Sequence, residues 1–194
     1  TMAAALNTGS IKADSSFYDS GVIQLDDAKI TNVEEAGGAG NRTMADILRL
    51  SLNTGATWLL MQMGDGKVNS KARETWHDYM VNKYRFSKNT NIEQGYESAG
   101  LVPDPEDGYG LNIRFANSAF GQGMTATPVQ MGAALASVVN GGTYYRPRLV
   151  DEYIDNTGKS EKQKPDIVQS NVVSQQTSDT VRGFMENVIN ANHR

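Results

Sequence analysis

Apolar residues spaced three and four apart, broken by small polar and glycine punctuation, predict most of the helices of this chain. Thr1 to Asn7 is a helical segment ending at Thr8-Gly9. Residues from Ile11 to Thr31 are expected to be irregular with short strands, and Gly21-Val22-Ile23-Gln24-Leu25 alternates as a half-buried strand does. Gly37-Gly38-Ala39-Gly40-Asn41 is a loop. Thr43 then caps a helix whose Met44, Ile47, Leu48 and Leu50 form an apolar face. Ser51-Leu52-Asn53-Thr54-Gly55 interrupts it. A second helix carries Trp58, Leu59, Met61 and Gln62 and ends at Gly64. A third begins near Ser70 and carries Ala72, Trp76, Tyr79, Met80 and Tyr84.

The turn-rich stretch from Tyr84 to Gly110 has the length of a functional loop or a peripheral wrap. Leu111 to Phe115 is expected as a short strand leading into Phe120-Gly121-Gln122-Gly123-Met124-Thr125-Ala126-Thr127-Pro128-Val129-Gln130. In that block a glycine-pinched loop enters a helix, with Thr127 as N-cap and Pro128 in the first turn. The helix runs through Met131, Leu135, Val138 and Val139 and stops at Asn140-Gly141-Gly142. Thr143 to Val150 and Glu152 to Ile154 are aromatic and β-branched, hence strand. Asn156-Thr157-Gly158-Lys159 is a hairpin turn, and Lys159 to Lys164 a charged surface loop. Ser174 or Thr177 opens a last helix. Its stripe of Val181, Phe184, Met185, Val188 and Ile189 has the spacing of core packing rather than of a cofactor box.

A length of 194 residues fits one domain, or most of one, with a real core. At 39% hydrophobic and 21% charged residues the composition is that of a folded soluble domain. The net charge of −4 and the lack of any basic run give no electrostatic footprint for nucleic acid or for a polybasic membrane anchor. Without cysteine there is no disulfide, zinc–thiolate site or cysteine nucleophile. Two histidines, His77 and His193, leave a histidine triad little to stand on, and His77 falls among charged residues on a surface helix. No metal or cofactor is expected. No apolar run spans a bilayer, and the first residues lack the basic start of a signal peptide. Both ends read as cuts through a larger protein, and no repeat or low-complexity tract is present.

Two segments could carry chemistry. Ser51 and Asn53 place a hydroxyl and a carboxamide two positions apart at a turn between helices, where both could face one cleft. The same residues also suit a plain C-cap followed by an Asn or Thr N-cap. The glycine loop at Phe120 to Gly123 has neither the P-loop lysine nor a G-x-G-x-x-G, so a tight corner bringing backbone close to a helix fits it better than a phosphate cradle.

Several segments in order resemble class B penicillin-binding proteins, the serine transpeptidases that cross-link peptidoglycan. Ser51-Leu52-Asn53 resembles their S-x-N motif, and Glu93 to Pro103 their G-E-x-x-G-x-x-P region. Phe120 to Gln130 is similar to the Gly-Gln-Gly block, and Asn140 to Val150 to the N-G-G…P-x-L-V continuation. The resemblance covers most of the chain. It implies Ser51 as a proton relay, Asn53 as a ligand for the substrate amide, and Gly121, Gln122 and Gly123 as scaffold near the cleft. Leu52 stands where some serine β-lactamases and their relatives carry aspartate.

The family's two other motifs are missing. No S-x-x-K occurs, since Ser10-Ile11-Lys12 has the wrong spacing, and no K-T-G or K-S-G occurs. The expectation is therefore a partial transpeptidase domain over residues 1–194, cut between those motifs and inactive alone. The parent would act through a serine acyl-enzyme on stem peptides ending in D-Ala-D-Ala and bind β-lactams. The alternative is a scaffold or binding domain that kept the fold and lost the nucleophile. The resemblance implies an α+β, helix-rich fragment of the serine β-lactamase/transpeptidase-like fold. Its incomplete antiparallel sheet leaves an edge through which a homodimer is expected. It further implies a parent on the extracytoplasmic face of the bacterial cytoplasmic membrane, anchored by an N-terminal helix absent here.

Overall fold

The computed structural model describes residues 1–106 and 108–192; His193, noted above, lies outside them. Its elements in chain order are α1 (Met2–Asn7), β1 (Ser16–Asp19), β2 (Val22–Leu25), β3 (Ala28–Thr31), β4 (Gly40–Thr43), α2 (Met44–Arg49), α3 (Asn53–Gln62), α4 (Ser70–Asp78), α5 (Leu111–Ala119), α6 (Pro128–Val139), β5 (Tyr144–Tyr145), β6 (Glu152–Ile154), β7 (Ser160–Lys162), β8 (Ile167–Gln169) and α7 (Gln175–Asn192). Tyr79 to Lys83 continue α4 as a wider π turn.

Helix starts follow the local chemistry of the sequence. The Thr43 hydroxyl accepts from the Asp46 N–H at 3.2 Å while Asp46 Oδ2 accepts from the Thr43 N–H at 2.9 Å, a reciprocal capping box on α2. Thr127 and Gln130 repeat this on α6, with Pro128 in its first turn. Asn69 caps α4 by accepting from the Ala72 N–H at 3.0 Å.

The helices share one core. Leu59, Leu60, Met44, Ile47 and Leu52 are buried together with the alanines of α1. Trp76 of α4 meets Phe115 of α5 edge-to-face, with ring centroids 5.6 Å apart. Phe17 of β1 stacks on Trp58 of α3 at 4.8 Å. Helix α7 packs on α2, α6 and α1, and α3 packs on α5.

The strands form four antiparallel pairs, β1 with β4, β2 with β3, β5 with β8 and β6 with β7, so the fold is α+β with its sheet in small pieces.

Several sequence expectations give way here. Leu111 to Phe115 is not a strand but the start of α5. Phe115, Ala116, Ser118 and Ala119 are its buried residues, and tertiary packing of that face overrides the short alternation. The strand expected over Thr143 to Val150 narrows to Tyr144–Tyr145. The charged segment from Lys159 is not a loop throughout, because Ser160–Lys162 pairs with β6 across the turn at Asp155 to Gly158. The glycine loop at 37–41 runs into β4 from Gly40. On α7 only Val181 of the stripe is buried, and Met185 and Ile189 are exposed.

Candidate active site

The turn between α2 and α3 is a helix C-cap of a specific kind. The Leu52 N–H donates to the Ile47 carbonyl at 3.0 Å and the Ser51 N–H to the Leu48 carbonyl at 3.3 Å. That is the bond pair of a Schellman motif, and Leu52 and Ile47, the positions of its apolar contact, are both buried in the core. In this motif the residue after the cap takes the left-handed conformation and is usually glycine. Here it is Ser51, at φ 52°. A serine in that region costs about 1 kcal/mol relative to glycine.

Ser51 and Asn53 line the same groove, a cavity of about 290 Å³. Its other walls are Thr1 and Met2 of α1, Ile47 and Leu48 of α2, Leu52 and Ala56, and Ala119 and Phe120 at the end of α5. The Ser51 side chain is exposed and has no hydrogen-bond partner among the described residues. Asn53 does not cap its own helix. Its Nδ2 donates to the Thr31 carbonyl of β3 at 2.9 Å, which leaves Oδ1 as a spare acceptor. The N-cap of α3 is Leu52, which has no side chain for the task.

No lining residue is ionisable through its side chain. The groove can therefore hold a neutral amide by hydrogen bonds, and no side chain in its lining is a base that would activate the Ser51 hydroxyl as a nucleophile.

The glycine block sits beside this groove rather than in it. Phe120 is in the lining, whereas Gly121 lines a neighbouring apolar cavity of about 550 Å³. Gln122 and Gly123 line neither. Gly123 is required by close approach: a Cβ there would lie 2.2 Å from Ser118 Oγ and 2.8 Å from the Arg114 carbonyl oxygen of α5.

Sequence reasoning missed two contributors. Thr1 accepts from the Trp76 indole N–H at 3.0 Å and donates to the Ala119 carbonyl at 2.7 Å, tying α1, α4 and α5 together at the groove. Nothing in its local pattern signals this. The other is Asp19, whose Asp-Ser-Gly setting is a turn signal.

The family model described as the penicillin binding protein transpeptidase domain matches residues 1–194. The chain belongs to the penicillin-binding protein transpeptidase family. Stage V sporulation protein D of Bacillus subtilis (strain 168) is 32% identical over 192 residues, which are 97% of this chain and 28% of that protein. Penicillin-binding protein PbpB of Mycobacterium tuberculosis is 30% identical over 148 residues, 76% of this chain and 20% of that protein.

Among solved structures, penicillin-binding protein 3 of M. tuberculosis in complex with aztreonam matches with a TM-score of 0.81 at 26% identity, over 97% of this chain and 39% of that one. Penicillin-binding protein 2X of Streptococcus thermophilus matches with a TM-score of 0.80 at 26% identity, over 95% of this chain and 25% of that one. The chain thus spans well under half the length of these transpeptidase-family relatives, and its α+β architecture is theirs.

Proposed function

We propose that this chain is the central portion of a peptidoglycan D,D-transpeptidase, supplying the hydroxyl of Ser51 and the carboxamide of Asn53 to a cleft completed by the family's S-x-x-K and K-T-G motifs. The observation that carries the reading is Ser51 itself. A serine occupies a left-handed position that favours glycine, and among the described residues its hydroxyl has no hydrogen-bond partner, in a groove it lines with Asn53. Ser51 is one of seven non-glycine residues at positive φ among the described residues, and strain at a residue whose side chain makes no structural bond supports a functional reading.

In this reading the serine of the S-x-x-K attacks the carbonyl of the penultimate D-Ala of a stem peptide. The terminal D-Ala leaves with a proton passed through the Ser51 hydroxyl. The acyl group then moves to an amine of a second stem, whose proton returns along the same path. Asn53 Oδ1 accepts from a substrate amide N–H and so orients the scissile bond. Phe120 closes one side of the groove, and Gly121, Gln122 and Gly123 shape the corner behind it. β-Lactams would acylate the same serine, in keeping with the aztreonam complex of the mycobacterial relative. The parent would work on the outer face of the cytoplasmic membrane; among the described residues of this chain no helix is long and apolar enough to cross it.

Fluorescent penicillin tests the reading. The 194-residue chain, with no S-x-x-K, is expected to take no covalent label. A polypeptide that adds the two flanking motifs is expected to label, and Ser51→Ala within it to slow acylation by about 10²–10⁴-fold. Labelling of the short chain, or an unchanged rate in the variant, overturns the assignment.

A further inference from the structure

Behind the Ser51–Asn53 turn lies a carboxylate that the chemistry above does not use. Asp19, at the end of β1, is 3% exposed. Its Oδ1 accepts from the Gly21 N–H at 2.8 Å, and its Oδ2 accepts from Asn32 Nδ2 and from the Thr54 hydroxyl, both at 2.9 Å. Asn32 Oδ1 in turn accepts from the Thr54 N–H at 3.1 Å.

Thr54 is the second residue of α3, so Asn32 performs from outside the helix the capping that Leu52 has no side chain to perform. One residue before Asn32, the Thr31 carbonyl holds Asn53 Nδ2. A single chain of bonds therefore runs from Asp19 through Asn32 and Thr54 to the helix start that bears Asn53. Burying a carboxylate is costly unless donors surround it. Three donors and the positive end of α3 meet that need here, and the result is a rigid support placed under the groove.

We propose that Asp19 is a positioning residue for Asn53. By ordering Asn32 and Thr54 it fixes the start of α3 against the end of β3, so that the Asn53 carboxamide is pinned through Nδ2 and presents Oδ1 to a substrate N–H. The inference rests on the reading of Ser51 and Asn53 as active-site groups.

The test has two arms. In the 194-residue chain, Asp19→Asn, which keeps the shape and removes the charge, is expected to shift the Asn53 side-chain amide resonances. It should also lower hydrogen-exchange protection at the Thr54 N–H at least about tenfold, with α6 amides unchanged. Thr54→Val removes the hydroxyl that Asp19 Oδ2 and Asn32 Oδ1 share, and serves if the Asp19 variant does not fold. In the polypeptide carrying the flanking motifs, Asp19→Asn is expected to slow penicillin acylation about tenfold. In an Asn53→Ala background the same change should alter the rate less than about twofold, because its effect passes through that side chain.

Equal losses in both backgrounds, or unmoved Asn53 resonances, overturn the proposal. Normal acylation by Asn53→Ala with the Asn53 resonances of Asp19→Asn still shifted defeats instead the reading of the site, and with it a part for Asp19 in turnover.

Discussion

At the scale of one residue, Ser51 is one of seven non-glycine residues at positive φ among the described residues, and the one that lines the groove beside Asn53. The Schellman turn would be satisfied by glycine at that position, since both of its bonds come from backbone. Ser51→Gly is therefore expected to raise stability by about 1 kcal/mol and the melting temperature by about 2–4 °C, as read by calorimetry of the 194-residue chain. Under the proposed function, the same change in the polypeptide carrying the flanking motifs should slow penicillin acylation about as much as Ser51→Ala. A lowered melting temperature would mean that the side chain carries the turn, which removes the argument from strain. The interruption at Ser51-Leu52-Asn53 was legible in the sequence because small polar residues break an apolar helical rhythm. Its left-handed geometry was not, because nothing local distinguishes a strained serine from an ordinary cap. Asn53 illustrates the same limit: its amide reaches a carbonyl 22 residues earlier instead of its own helix.

Whole elements were readable where the pattern was long and capped, as in α2, α4 and α6, and misread where it was short. Leu111, Ile113 and Phe115 alternate, yet they begin a helix because the burial of Phe115, Ala116 and Ala119 follows helical spacing. The charged β7 became a strand only because the hairpin turn before it brought β6 alongside.

Long connections are held by side chains whose partners are distant. Buried Gln130 donates through Nε2 to the Lys88 and Ala99 carbonyls at 2.9 and 2.7 Å, fastening the 84–110 segment to α6. Within that segment Glu97 accepts from the Thr90 N–H at 2.7 Å, from the Thr90 hydroxyl, and from the Asn91 N–H at 3.0 Å. Burial pushes the Glu97 carboxyl up, but these donors outweigh it and hold the group below its usual range. A lowered folded pKa gives stability that is present above the unfolded value, about 4.3, and lost as pH falls through the folded one. Protection factors at Thr90 and Asn91 are thus expected to drop in acid below that range, and Glu97→Gln to remove the pH dependence while lowering protection at neutral pH. An acid response unchanged by that substitution would assign it to another carboxyl group.

At the scale of the whole molecule, one carboxamide joins the two ends of the chain. Asn7 Oδ1 accepts from the Ser174 N–H at 2.7 Å and from the Thr177 hydroxyl at 3.2 Å, while its Nδ2 donates to the Tyr79 hydroxyl at 2.6 Å. It locks the start of α7 to α1 and to the π turn after α4. Asn7→Ala is expected to destabilise the fold by about 2–3 kcal/mol, since it strands partners at three places. In urea this should appear as a lower midpoint with an unchanged slope. A shallower slope instead would mean that α7 melts separately from the rest.

By itself the sequence determined most of the capped helices and turns, the absence of cysteine, and an ordered resemblance to the penicillin-binding transpeptidases that the family match bears out. These depend on spacing and residue type within a dozen positions, the range over which helical periodicity and capping act. Only the tertiary structure decided that Ser51 and Asn53 share a groove with Thr1 and Phe120, that α3 is capped by Asn32, and that a buried Asp19 stands behind both. Those contacts join segments 20 to 120 residues apart, and hydrogen-bond partners at that separation leave no periodic trace in the chain.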